Sequence, residues 1–243
     1  MKEDPKQIPS ATPAAPLHER AYEEIRRALI SGKFAPGHKM TSRGLAAALG
    51  TSDMPVRAAL GRLVSDGGLV QRPNGNIVVP ILSRANFEEV MTLRSLLEGR
   101  ATALACGRLG EAQLALLRQV VAELADAIRE DDIVKYLDAN HRFKFAIYEY
   151  CESPVLLSII DKLWLQAGPF LRNLANRNLR GAMTLQYHAA ALDALQARDA
   201  TLAARAISED IEEGLAHVLK TAEFPDDAHS APVNRLTEIK DAK

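Results

Sequence analysis

The chain has little of what marks several classes of protein. Its 243 residues include two cysteines, one tryptophan and 5% aromatic residues, and its formal net charge is −1. Cys106 and Cys151 are too few and too isolated for a disulfide framework, so we expect buried free thiols. There is no signal-peptide core and no apolar run near the roughly 18 residues that a membrane span needs. These absences favour a cytoplasmic protein with no membrane partner.

The small net charge hides an asymmetry along the chain. Residues 17–80 carry nine Lys or Arg against five Asp or Glu, whereas residues 81–243 carry nineteen against twenty-four. The basic amino-terminal part fits a nucleic-acid partner, although a surplus of this size is also ordinary for a protein surface. The length is sufficient for two domains, each with its own core.

Residues 51–66 are predicted to form a helix with one buried face and one exposed face. The inward positions, at helical spacing, are Val56, Leu60, Leu63 and Val64. Ser52 can cap the first backbone amides, Pro55 falls in the first turn, where proline is tolerated, and glycines 67 and 68 end the helix. Arg57 is left outside, near the exposed amino end.

The neighbouring segments predict a winged helix-turn-helix over residues 17–80. A short helix over residues 42–49 is joined to the helix described above by a tight turn at Gly50. Residues 17–31 have the same periodicity and form a supporting helix. Residues 69–72, the Pro73-Asn74-Gly75 turn and residues 76–80 predict a β-hairpin, which is the wing.

Residues 81–222 are predicted to form an antiparallel helical bundle, so the fold class is mostly α. The expected helices cover residues 83–109, 111–129, 133–151, 154–179, 184–197 and 200–221. Gly168-Pro169 interrupts the fourth of these and predicts a kink. Residues 1–16, with four prolines, are predicted to be a disordered tail, and residues 223–243, with two, a loose tail.

Both predicted domains resemble the GntR family of transcriptional regulators. The matching residues of the first domain are Pro36-Gly37, Leu45-Ala46-Ala47, Leu49-Gly50, Pro55-Val56-Arg57, Ala59-Leu60, Leu63, Gly68-Leu69-Val70 and Asn74-Gly75. Those of the bundle are Leu93-Arg94, Leu97-Glu98, Phe143, Ile147-Tyr148, His188, Leu192, Ala194-Leu195 and Asp199, and they look like the FCD effector-binding domain of the FadR-like branch. The resemblance implies a homodimeric regulator, which we expect to be a repressor. The resemblance also implies that this regulator binds a pseudo-palindromic operator, and that it loses or changes its hold on the operator when a small metabolite enters each bundle.

Helix-turn-helix geometry places the amino end of the second helix in a major groove of double-stranded DNA. There Arg57 could donate to guanine or to a phosphate, and Arg43 on the preceding helix is better placed for a phosphate. Either arginine could instead be an ordinary solvated residue. The remaining expected DNA-facing residues are Thr51, Ser52, Asp53 and Met54 at the start of the helix, and Asn74 and Gly75 in the wing.

Two departures from the family pattern concern DNA sequence preference. The family usually has Arg and Thr where this chain has Asp53 and Met54, and Glu where it has Ala58. Aspartate repels phosphate but can accept from cytosine, and methionine can touch a thymine methyl group. We therefore predict an operator that differs from the family's usual sequence at the positions these residues face. The alternative is that Asp53 only caps the helix.

Many members of this branch hold a metal in the bundle through Asp or Asn, a His four residues later, and two further His. The matching positions here are Asn140, Lys144, His188 and Asp210. A protonated lysine offers no lone pair and one imidazole remains, so we expect no metal cofactor. If a metal were bound, the candidate ligands would be Asn140, His188 and Asp210. Asp138 and His141, three residues apart, are an alternative metal pair.

Asn140 and Lys144 lie one turn apart on the inward face of their predicted helix. A buried ammonium costs several kcal/mol unless it is paired, and Asp210 is the expected partner. We expect Lys144, with Asn140, His188 and Asp210, to bind the carboxylate of a small organic acid. Further candidate donors are Arg94, Tyr148, Arg172 and Tyr187. The alternatives are a closed Lys144–Asp210 pair that binds no ligand, and an enzyme in which Lys144 forms a Schiff base with a keto acid.

Overall fold

The structure, a computed structural model, describes residues 16–172 and 185–224, which are mostly helical. The amino-terminal part contains helices α1 (Leu17–Ile30), α2 (Ser42–Leu49) and α3 (Asp53–Ser65) and strands β1 (Lys39–Met40), β2 (Val70–Gln71) and β3 (Ile77–Val78). The carboxy-terminal part contains α4 (Arg84–Ala105), a 3-10 turn (Cys106–Arg108), α5 (Glu111–Glu130), α6 (Ile133–Tyr148), α7 (Pro154–Leu171), α8 (Gln186–Gln196) and α9 (Ala200–Thr221). None of these described helices is both long and apolar enough to cross a membrane.

The predicted winged helix-turn-helix is confirmed, but its sheet has one strand more than the sequence indicated. The order is β1-β3-β2, and both pairings are antiparallel, with Lys39 and Val70 flanking Val78. A two-residue strand such as β1 is too short to show an alternation of polar and apolar residues, so it could not be predicted from the sequence pattern. At the wing tip, Gly75 has φ 79°, which glycine adopts readily.

The helical prediction for the second part is confirmed within the described residues, with several ends displaced. The first bundle helix ends at Ala105 and gives way to the 3-10 turn instead of reaching residue 109. Helix α6 ends at Tyr148, three residues before the predicted end. The predicted continuation of α7 to residue 179 and the predicted helix start at residue 184 lie outside the described residues. So do the predicted tails, apart from Pro16, Glu223 and Phe224.

The amino-terminal helix α1 packs directly against α7 of the bundle. A Cβ atom at Gly168 would lie 2.7 Å from the Ile30 Cα and 2.7 Å from the Leu29 carbonyl oxygen. An ion pair between Arg26 and Asp161 crosses the same contact. Helix α7 continues through Pro169 to Leu171, so the predicted kink stays a prediction. The glycine at this site is explained by the close approach of two backbones.

His141 on α6 lies where α1, α6 and α7 meet. Its ring stacks on Phe145 at 4.2 Å between centroids and meets the edge of Trp164 at 5.1 Å. Burial, reinforced by nearby arginines of which Arg26 is the strongest, lowers the pKa of His141 from 6.5 to about 3. The imidazole is therefore neutral at physiological pH and acts as a packing residue.

We predict that Gly168→Ala destabilises the protein by about 1–3 kcal/mol, because the new methyl group collides with the α1 backbone, which cannot move independently. Gly214→Ala on α9 is the matched control, since a Cβ there meets nothing within 4 Å. That variant should gain roughly 0.5–1 kcal/mol from helix propensity. Urea unfolding followed by circular dichroism measures both. Equal stability of the two variants would contradict the packing argument.

We predict that acid weakens the fold partly through His141. Below the unfolded-state pKa of about 6.5 the unfolded chain takes up a proton that the folded imidazole refuses, so stability falls as pH falls. The expected loss between pH 7.5 and 5.5 is up to about 1.4 kcal/mol for this residue. His141→Leu should lose less stability than the wild type over that interval in urea unfolding. An unchanged pH dependence in the variant would count against a neutral buried His141.

Candidate DNA interface and effector cavity

A surface groove runs between α3 and the small sheet. Its walls include Arg43 from α2, Arg57 from α3 and Gly75 from the wing, so three of the predicted DNA-facing residues share one surface. The others lie beside it: Asn74 and Ser52 are exposed, Thr51 is half-buried, and the Met54 side chain is 75% exposed. The surface presents arginines and the amino end of a helix, both of which suit contact with phosphates and base edges.

The amino end of α3 differs in detail from the sequence prediction. Ser52 occupies the capping position with an extended backbone, but its side chain makes no capping hydrogen bond, so that prediction was wrong. Asp53 lies inside the first turn and accepts a hydrogen bond from Arg57 Nε one turn later, so the alternative of a simple cap is also wrong. This contact leaves both terminal amino groups of the Arg57 guanidinium outside the ion pair.

The bundle brings together the four residues proposed for the effector site. Lys144 Nζ on α6 lies 2.7 Å from Asp210 Oδ2 on α9, and the two side chains are 1% and 13% exposed. His188 Nε2 on α8 lies 3.0 Å from Asn140 Oδ1, to which it donates. His188 Nδ1 is 3.7 Å from Asp210 Oδ1. The ion pair that the sequence predicted for Lys144 is therefore present.

Burial and charge set the protonation states in this cluster. Burial lowers the pKa of His188 and outweighs the opposite effect of the Asp210 carboxylate, with a smaller lowering from the Lys144 ammonium, so the imidazole is neutral. Burial would raise the pKa of Asp210, but the charge and hydrogen bond of Lys144, together with smaller contributions from His188 and Arg94, outweigh it and leave the pKa below its usual value. The cluster thus holds one ammonium, one carboxylate and one neutral ring.

A small cavity of about 20 Å³ opens beside the ion pair, which is room for roughly one water molecule. Its wall consists of Met91, Arg94, Tyr136, Asn140, Lys144, Leu171, Asp210, Ile211 and Gly214. The sequence analysis missed Tyr136, although its spacing of four from Asn140 indicated the same helix face. Ligand pockets usually enclose several hundred Å³, so the walls of this cavity must move apart to admit a ligand larger than water.

Of the four further candidate donors, Arg94 alone lies in the wall of this cavity. Its Nε donates to Glu98 Oε1 at 2.7 Å, and its guanidinium lies 3.9 Å over the Trp164 ring. The Tyr148 hydroxyl instead donates to Glu98 Oε2 at 2.6 Å. Arg172 donates to backbone carbonyls of the segment after α1, and Tyr187 is half-buried outside the cavity wall. Tyr148, Arg172 and Tyr187 thus lie outside the wall of this cavity, and their contact with a ligand stays a prediction.

The residues at the metal positions implied by the family resemblance do not fit a metal ion. The carboxylate of Asp210 is already paired with the Lys144 ammonium, and His188 Nε2 donates a hydrogen bond to Asn140 Oδ1. In residues 16–172 and 185–224, no group of three or more His, Cys, Asp or Glu side chains converges. Asp138 and His141, the alternative metal pair, are engaged in other contacts. Asp138 accepts a hydrogen bond from Arg142 at 3.0 Å, and His141 packs among aromatic rings.

Comparison with known proteins places both parts of the chain. Residues 17–79 match the family model for bacterial regulatory proteins of the gntR family, and residues 89–213 match that for the FCD domain. The chain is 34% identical over 151 residues to the HTH-type transcriptional regulator McbR of Escherichia coli K12, and the aligned region covers 62% of this chain and 68% of that protein. It is 29% identical over 134 residues to the Nta operon transcriptional regulator of Aminobacter aminovorans, spanning 55% and 63%.

Solved structures agree with this assignment. The structure of E. coli McbR/YncC aligns with a TM-score of 0.79 at 29% identity, covering 85% of this chain and 99% of that one. A GntR regulator from Rhodococcus sp. RHA1 aligns with a TM-score of 0.68 at 19% identity over the same shares, which shows the fold alone. The chain belongs to the GntR family of DNA-binding transcriptional regulators and carries an FCD domain behind its winged helix-turn-helix.

Proposed function

We propose that this regulator is a homodimeric repressor that binds a pseudo-palindromic operator. Its affinity for the operator changes when a small organic acid enters the FCD cavity. The effector binds without a metal, and the protein catalyses no reaction. The observation that carries the proposal is the buried ion pair between Lys144 and Asp210, 2.7 Å long, at the wall of a cavity inside the bundle.

The DNA half of the proposal is supported by the groove between α3 and the wing. Arg57 is 64% exposed at the amino end of α3, and Arg43 is exposed on α2. One recognition helix contacts only a few base pairs, so useful specificity requires two copies that read two half-sites about one helical turn apart. The operator is expected to differ from the family's usual sequence where Asp53 and Met54 face it.

The effector half is supported by the chemistry of Lys144. A carboxylate that reaches Lys144 competes with Asp210 for the same ammonium. Because Lys144 is on α6 and Asp210 is on α9, this exchange would loosen the link between the two helices. Helix α6 also carries His141, which packs near α1 of the DNA-binding domain, so a shift of α6 can reach that domain.

The geometry gives no support to a lysine-dependent enzyme. Schiff-base formation needs a neutral amine, whereas Lys144 is held as an ammonium by Asp210. The relatives reported above are transcriptional regulators, and their names give no catalytic activity.

We predict that Arg57→Ala weakens binding to the operator by about 1–3 kcal/mol and reduces its preference over random DNA. Arg43→Ala should weaken binding to all duplexes alike and reduce the salt dependence. Fluorescence anisotropy on duplexes chosen by selection from a random library measures both. Arg205→Ala, an exposed arginine on α9 whose side chain is 71% exposed, is the matched control and should bind as the wild type does. Full sequence preference in Arg57→Ala would contradict base readout by this residue.

We predict that at least one acid from a panel of small organic acids raises the melting temperature and alters operator binding of the wild-type protein. Lys144→Met should lose both responses, because the carboxylate no longer finds an ammonium. Lys162→Met, at an exposed lysine on α7, is the control.

Lys144→Met leaves a carboxylate unpaired, which can cost about 3–5 kcal/mol of stability. The double variant Lys144→Met/Asp210→Asn removes both charges and should restore folding without restoring the response. If no acid, amino acids included, acts on the wild type, or if Lys144→Met still responds, the proposed effector site is wrong.

A further inference from the structure

The charges around the FCD cavity form two matched pairs. Arg94 lies 2.7 Å from Glu98, and Lys144 lies 2.7 Å from Asp210. His188 is neutral, so these side chains carry no net charge together. A simple carboxylate that took Lys144 would leave Asp210 buried and unpaired. The penalty for such an unpaired charge corresponds to roughly a hundredfold in affinity or more.

The anionic half of the cluster has more acceptors than donors. Asp210 Oδ1 lies 3.7 Å from His188 Nδ1, which is also an acceptor because the other ring nitrogen donates to Asn140. Within the part of the chain that the structure describes, His188 Nδ1 is buried and has no hydrogen-bond partner. Asp210 belongs to the cavity wall, whereas His188 lies outside it, so this half of the cluster suits a ligand that offers N–H donors on a positive charge to the Asp210 carboxylate.

The cationic half can accommodate a carboxylate. Lys144 and Arg94 both contribute to the cavity wall. One terminal nitrogen of Arg94 contacts the Met91 sulfur at 3.4 Å, and a thioether is a weak acceptor that a carboxylate would readily replace. The rest of the wall includes Leu171 and Ile211, which favour an apolar side chain on the ligand.

We propose that the effector is an α-amino acid in its zwitterionic form, with a small apolar side chain. Its carboxylate binds Lys144 and Arg94, and its ammonium binds the carboxylate of Asp210, three side chains that all belong to the cavity wall. The ligand thus separates the ion pair and supplies each half with a new partner of opposite charge. This inference rests on the proposed effector function and specifies the chemical class of the ligand.

The test compares ligands that differ by one charge. The full-length protein is titrated calorimetrically, and its melting temperature measured, with the twenty common L-amino acids. Each binding amino acid is compared with the acid that lacks its amino group and the amine that lacks its carboxyl group, such as propionate and ethylamine for alanine. We expect at least one apolar amino acid to bind, and both of its analogues to bind at least about a hundredfold more weakly.

Charge variants make the test specific to the cavity. Asp210→Asn should bind the amino acid with about a hundredfold lower affinity. It should bind the corresponding acid more tightly than the wild type does, because Lys144 is then unpaired. Lys144→Met/Asp210→Asn, which has neither charge, should bind neither ligand. Glu209→Gln is the matched control, since it removes the preceding carboxylate on α9, which pairs with Arg205 outside the cavity.

The two proposals fail in different ways. If a simple acid binds the wild type as tightly as any amino acid does, the zwitterion is wrong and the acid effector stands. If no amino acid, acid or amine binds the wild type, and if Asp210→Asn does not bind an acid either, both the acid effector and the zwitterionic effector are wrong. This conclusion does not depend on how tightly the protein binds its operator.

Discussion

The buried contact between Lys144 and Asp210 is the interaction on which the interior of the bundle depends. It joins α6 to α9 across a cavity with room for about one water molecule, and both side chains are removed from bulk solvent. A buried ammonium in this position needs a carboxylate partner, because an unpaired charge removed from water is costly. The same contact leaves the site poorly suited to a metal ion, since the cation that balances Asp210 is part of the protein.

A second set of buried groups leads from this contact towards the DNA-binding domain. Arg94 forms part of the cavity wall and lies over Trp164, and the edge of Trp164 meets His141. His141 lies close to α1, the first helix of the DNA-binding domain. These are contacts between packed side chains on rigid helices, so a displacement at the cavity has a continuous route to α1. Coupling along that route is a physical hypothesis that rests on packing alone.

Much of the fold could be predicted from local signals in the sequence. The bounds of α2 and α9 agree with the prediction, since Gly50 in a left-handed conformation ends α2 and the Asp199 side chain caps α9. Lys144 and Asp210 could be paired because a buried lysine needs a carboxylate. The cavity volume and the hydrogen bond from Tyr148 to Glu98 could not be predicted, because both depend on how neighbouring helices are rotated and spaced. The pairing of Asp53 with Arg57 was visible as a spacing of four, but the prediction considered each residue alone.

The close approach at Gly168 has a consequence for how such regulators can be recombined. At Gly168 the backbone of α7 lies directly against the backbone of α1 at Ile30. No side chain stands between them that could change its rotamer if a different bundle were joined to α1. A chimera that joins this DNA-binding domain to the effector domain of a relative therefore needs a glycine at the corresponding position of the acceptor. Without one, the transplanted α1 would be displaced from its contact with α7, and the recognition helix would be reoriented relative to the bundle.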